Sequence, residues 1–172
     1  MCAHNCPELV DGFSLLQKTL IRLLFAGFLA VGAYAIFLYS AAWGCIYLGV
    51  AILGQAVFVL PGLCGHCPYP HQLNDCLFLP AGIMRRLVKY RGPKITPSET
   101  AQIGITLLLV VGIPQVWLIR EPWLLVLFWA LLVPFLSYFP FYLCKRCRHA
   151  GCPANRTGQT IDPDLIRSHR RL

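Results

Sequence analysis

Of the 172 residues, 57% are hydrophobic and only 13% are charged, yet the formal net charge is +8. A soluble domain carries roughly 25% charged residues, and a large buried helical core would need amphipathic faces that the long apolar runs here lack. Composition therefore argues against a water-soluble fold. The positive charge follows from topology, as set out below, so it gives no reason to expect a nucleic-acid partner.

Residues 1–14 form an N-terminal segment holding Cys2, His4 and Cys6. From Leu23 to Leu63 there is no Asp, Glu, Lys, Arg or His over 41 residues. About 20 apolar residues cross a hydrocarbon core of roughly 30 Å. The run therefore predicts two spans, near 15–39 and 44–63, with a turn at Ser40–Gly44. Ala33-Tyr34-Ala35 has the small-x-small form of a signal-peptide cleavage site. However, Glu8 and Asp11 precede the run, and its apolar character continues far past that site, so the first helix is expected to stay uncleaved.

Residues 64–96 form a loop rich in Cys and basic side chains. Within it Leu79–Tyr90 reads as a short amphipathic helix, with Ile83, Met84, Leu87 and Val88 on one face and Arg85, Arg86 and Lys89 opposite. Such a helix lies in the headgroup plane or packs on the protein's own surface. Thr96-Pro97-Ser98-Glu99 is a capping box that opens a third span, near 97–119. Arg120 and Glu121 form a short turn, and a fourth span follows near 122–143. Pro114 and Pro134 interrupt these helices, as packing or as kinks. The tail, 144–172, is polar and basic.

The predicted fold is an all-α integral membrane protein with four transmembrane helices in two hairpins, 15–63 and 97–143. Each hairpin closes on a Pro followed by Leu-Cys-x-x-Cys, at Leu63–Cys67 and Leu143–Cys147, a pattern that reads as tandem duplication. Of the 15 Lys and Arg, 14 lie before Leu23, within 64–100 or after Tyr142, and Arg120 alone lies between the later spans. Loops rich in Lys and Arg stay cytoplasmic. Both termini and the long loop are thus expected in the cytoplasm of a cell (inner) membrane, facing anionic headgroups.

Nine cysteines remain. Cys45 falls at the start of the second span, near the far side, and reads as a small apolar residue. The other eight fall on the expected cytoplasmic side, where thiols stay reduced, so clustering there points to metal or redox chemistry. A Cys-x-x-Cys turn directs two thiolates at one ion, and two such turns complete a tetrahedron. Cys64, Cys67, Cys144 and Cys147 are therefore the first candidate metal site, with zinc the expected ion. Cys2, Cys6, Cys76 and Cys152 are a candidate second site. His66, His71 and His149 are interleaved further ligands.

Cys6, Cys67 and Cys152 each precede Pro, a step also found in the bacterial ferredoxin run. The N-terminal Cys2-Ala-His-Asn-Cys6-Pro7, together with four spans, resembles the NapH and NosR family of membrane electron-transfer proteins. That resemblance covers one short motif and the topology, and it implies an iron–sulfur cluster and quinone chemistry. The chain departs from the family where Cys-x-x-Cys follows each hairpin and where ferredoxin-like repeats are missing.

No nucleophile motif, phosphate loop, paired carboxylate or intramembrane charge points to an enzyme or a proton-coupled carrier. The expected function is a scaffold or subunit of a larger membrane complex, held together by a cytoplasmic metal site. An iron–sulfur subunit exchanging electrons with quinone is the alternative, and a soft-metal or thiol redox protein is a third.

Overall fold

The structure is a computed structural model that describes residues 12–92, 94–138 and 141–142. Among the described residues it is all-helical, without strands. α1 runs Leu15–Phe37, α2 Ala41–Gly54, α3 Pro68–Gln72 and α4 Ala81–Leu87, followed by α5 Pro97–Gly112, α6 Gln115–Leu118 and α7 Pro122–Tyr138. Directly after α2 the chain continues as a π-helix, Gln55–Cys64. Three helical stretches are long and apolar enough to cross a membrane: Leu15–Phe37, Ala41–Cys64 and Pro97–Leu118. α7 is equally apolar but has 17 residues.

Local chemistry sets the helix starts. The Ser14 hydroxyl accepts from Gln17 N at 3.2 Å while the Gln17 side-chain Oε1 accepts from Ser14 N at 2.9 Å. The predicted box at Thr96 is present, with Glu99 N donating to Thr96 Oγ1 at 3.3 Å and Thr96 N to Glu99 Oε2 at 3.0 Å. Ser40, in the predicted turn, caps α2. Each cap pairs first-turn N–H groups that have no partner inside the helix. Pro114 separates α5 from α6, whereas Pro134 is accommodated inside α7.

α1 packs most extensively on α7 and also on α2, while α5 lies against α2 and the π segment. Phe28, Phe128, Leu124, Leu132 and Phe135 fill the α1–α7 seam, with the Phe28 and Phe128 rings edge to face at 5.9 Å. Ala33, Ala35, Ala51 and Gly54 are buried, while Leu15, Leu23, Ile52, Leu108 and Val126 are exposed. Small residues at helix contacts, together with many large apolar side chains on the outer surface, are the distribution of helices that pack in lipid. A Cβ on Gly54 would lie 2.6 Å from Thr106 Cγ2, and one on Gly62 2.8 Å from Ile103 Cδ1. The missing side chains therefore set how closely the π segment approaches α5.

The two ends of the bundle differ in chemistry. At one end Arg120 lies over the Tyr39 ring, the Tyr39 hydroxyl donates to Glu121 at 3.0 Å, and Trp43 meets Trp117 at 6.0 Å. Amphipathic rings at this level match a membrane–water interface. At the other end Asp75 accepts from Phe13 N at 2.6 Å and pairs with Lys18, which latches the loop to the start of α1. Burial pushes the Asp75 carboxyl upward, but Lys18 and the backbone N–H groups of Phe13 and Cys76 outweigh it and hold it below its usual range.

The expected face of the loop helix is divided in the structure. Met84 and Val88 are buried with Ala81 against Cys64 and Cys76, whereas Ile83 and Leu87 are exposed. α4 spans only Ala81–Leu87, and Val88 leaves it in extended conformation. The buried stripe is therefore Ala81, Met84 and Val88, at i, i+3 and i+7.

Gly54→Ala should separate the π segment from α5 at an overpacking cost of about 1–3 kcal/mol. Gly49→Ala, with nothing within 4 Å of the new methyl, should be tolerated. Thermal unfolding of both variants in the same detergent checks this, and equal losses would contradict the packing account.

Candidate functional site

The π-helix shapes the region where the Cys-rich loop meets the bundle. Bonding from residue i to i+5 brings side chains back to one face every four to five residues, against three to four in an α-helix. Gln55, Val59, Leu60, Leu63 and Cys64 follow that longer spacing, and all five line one pocket of about 250 Å³. In α-helical geometry Cys64 would point away from Gln55. Arg22 and Phe25 of α1 and Phe78 and Leu79 of the loop complete the walls.

Cys64 ends the π segment and hydrogen-bonds through its thiol to Cys76. Cys76 is buried and sits where the backbone N–H groups of Phe78 and Leu79 point at its sulfur. Donation from the Cys64 thiol is the largest influence and lowers the Cys76 thiol below its ordinary range. Burial acts in the opposite direction, while the two amides and the nearby Arg22 guanidinium reinforce the lowering. Arg22 is held in place by donating Nε to the Leu77 carbonyl at 3.2 Å. The hydrogen bond from Cys64, the two amides and Arg22 thus all favour the charged form of Cys76.

The histidines of the loop serve its backbone. Both ring nitrogens of His66 are engaged, Nδ1 with the Gly92 carbonyl at 2.7 Å and Nε2 with Glu99 at 3.2 Å. Arg91 N donates to the Gly65 carbonyl at 2.8 Å and Arg91 Nη1 reaches Glu99 at 3.1 Å. The Cys-Gly-His-Cys turn is thereby tied to the start of α5. His71 Nε2 lies 3.2 Å from the Cys64 carbonyl, and its ring is 5.4 Å from Tyr90.

Of the first candidate metal site, the structure describes Cys64 and Cys67; Cys144 and Cys147 lie outside the described residues. Of the second it describes Cys76, which sits with Cys64, while Cys2, Cys6 and Cys152 lie outside them, as does His149. Among the described residues no three His, Cys, Asp or Glu side chains converge as a metal set. Cys45 is exposed in α2.

Sequence reading missed Arg22 and Gln55 as site residues. In the sequence Arg22 reads only as a topology charge. Gln55 is one of few Gln in the apolar runs, but nothing in the sequence shows a change of helix type that would aim it at a cysteine. Gln115, by contrast, donates Nε2 to the Val111 carbonyl at 3.0 Å.

Comparison of the chain with protein-family models, with curated proteins and with solved structures finds no match. The resemblance to the NapH and NosR family therefore rests on the one N-terminal motif and the predicted topology.

Cys76 should remain thiolate below the ordinary thiol range, near 8.5. In metal-free protein whose other cysteines are Ser, Cys64→Ala removes the donor and should move the Cys76 titration to higher pH. Arg22→Gln should move it the same way by less. Ultraviolet absorbance of the thiolate reads both shifts, and a titration unmoved by Cys64→Ala would contradict the assignment.

Proposed function

We propose that the chain is a multi-pass membrane protein, with four spans in two hairpins, that acts as a scaffold or subunit of a larger membrane complex. A cytoplasmic site ligated by cysteine, zinc first among the candidate ions, ties its two halves together. The observation that carries this reading is that Cys64 ends the second apolar span, three residues before Cys67, where the Cys-rich loop meets the bundle and Cys76 packs beside it. Cysteine binds metal as the thiolate, so an ion at this place would be held by Cys64 and Cys67 in their deprotonated form.

In this proposal Cys64, Cys67, Cys144 and Cys147 are the ligands, and Cys76 is the hydrogen-bond partner that orients one of them, as second-layer groups do in metal sites. The basic loop, with Arg86 and Lys89 exposed on and beside α4, faces anionic headgroups. The alternative is an iron–sulfur site on the same thiols, which would make the chain an electron-transfer subunit.

Structural zinc is worth on the order of 10 kcal/mol or more in small peptides. Cys64→Ser and Cys144→Ser should each lose the same ion, with the double variant little worse than either. Elemental analysis of anaerobically purified protein checks this: colourless protein with zinc supports the staple, brown protein with iron supports the alternative, and no metal contradicts both. A reporter fused after Leu172 that is active only after export should stay silent, and its activation would overturn the orientation.

A further inference from the structure

The pocket beside the thiol pair brings a nucleophile, its base and hydrogen-bond donors to one apolar surface. We propose that Cys64 is a modification site there, capturing membrane-soluble α,β-unsaturated aldehydes of medium chain length. Cys64 cannot hold a carbon atom and a metal ion at once, so the site belongs to the metal-free chain.

Access and shape suit an alkyl tail. Phe25, Leu60 and Leu63 are half-buried in the pocket wall, and Leu23, Val57 and Phe58 beside them are exposed. A guest can therefore enter from the hydrocarbon. An apolar cavity of about 150 Å³ takes up benzene, and this one, at about 250 Å³, holds a longer run of carbons. Peroxidised acyl chains release aldehydes of this kind inside the membrane itself.

The polar groups suit a carbonyl. Among the described residues, the Gln55 amide nitrogen is the buried side-chain N or O atom that has no hydrogen-bond partner. Leaving such a donor unpaired costs its full desolvation, and a group of that kind calls for an explanation. Arg22 lines the same pocket, with one of its five N–H groups placed on the Leu77 carbonyl. An aldehyde oxygen accepts from such donors and donates nothing.

The thiols supply the chemistry. Cys64 lines the pocket and donates its thiol hydrogen to Cys76, the pairing of a nucleophile with an adjacent base. In the addition, the Cys64 sulfur bonds to the β-carbon while its proton passes to Cys76. The C=C electron pair moves toward the carbonyl as an enolate, whose oxygen Gln55 and Arg22 stabilise. Cys76 then gives the proton to the α-carbon, leaving a thioether aldehyde. One S–H adds across one C=C, so no oxidant, reductant or leaving group takes part.

The test uses the full chain in nanodiscs, stripped with chelator so that its outcome does not depend on the metal reading. The probe is trans-2-nonenal, with borohydride to fix the adduct and peptide mass spectrometry to follow each cysteine. Cys64 should be modified first, at least about tenfold faster than Cys45, the exposed thiol of α2. Gln55→Leu, which keeps apolar volume and removes the donor, should slow Cys64 about fivefold, the worth of one hydrogen bond. Leu60→Trp, filling the pocket, should remove the preference for Cys64, and Leu63→Trp serves as a second filler should the first variant not fold. Modification of Cys64 no faster than Cys45 would overturn the proposal. So would a Cys64 rate that Gln55→Leu and both fillers leave unchanged, which would make it ordinary thiol reactivity without a site.

Discussion

Backbone pairing at Pro61 is the constraint on which the rest of the structure depends. A helix surrounded by hydrocarbon must pair its own N–H and C=O groups, and proline both lacks an N–H and presses its ring on the carbonyl four residues back. The second span carries Pro61 and keeps its helical course by changing to i→i+5 bonding from Gln55 onward. The wider turn relieves the clash and alters which side chains share a face. Gln55 and Cys64 come to one side, while Gly54 and Gly62 meet α5. One backbone adjustment thus sets the shape of the pocket, the position of the thiol and the closest helix contact.

Electrostatics at the Cys-rich end follows from that placement. Cys64 arrives as a hydrogen-bond donor, and the loop brings Cys76 to it. The loop can do so because Asp75 is latched to Lys18 and Phe13 N, and because His66, Arg91 and Glu99 tie the turn to α5. A thiolate buried without such support would be costly. Here two amides, the Cys64 thiol and the Arg22 guanidinium all favour the charged form of Cys76. The same features that make the cysteine a good ligand would also make it a good nucleophile.

Much of this architecture was legible in the sequence. The charge-free runs gave the apolar helices, Ser40 the turn between α1 and α2, and Thr96–Glu99 the start of α5, because composition and caps act locally. Ser14-x-x-Gln17 carried the same kind of signal and went unused. The amphipathic reading of the loop helix placed Met84 and Val88 on the buried side, as found, but Ile83 and Leu87 with them, and both are exposed; a helical wheel cannot know that only the narrower stripe Ala81, Met84 and Val88 meets the bundle. Pairing the cysteines by motif set Cys76 apart from Cys64, whereas spatial proximity joins them across twelve residues. The π-helix had no sequence signature beyond Pro61, and the pocket depends on it.

The most direct test of the account is which thiols meet. In protein whose only cysteines are Cys64, Cys67 and Cys76, mild copper-catalysed oxidation followed by peptide mass spectrometry should give the Cys64–Cys76 disulfide as the main product. A product dominated by Cys64–Cys67 would place Cys76 elsewhere and contradict the geometry on which the site is built.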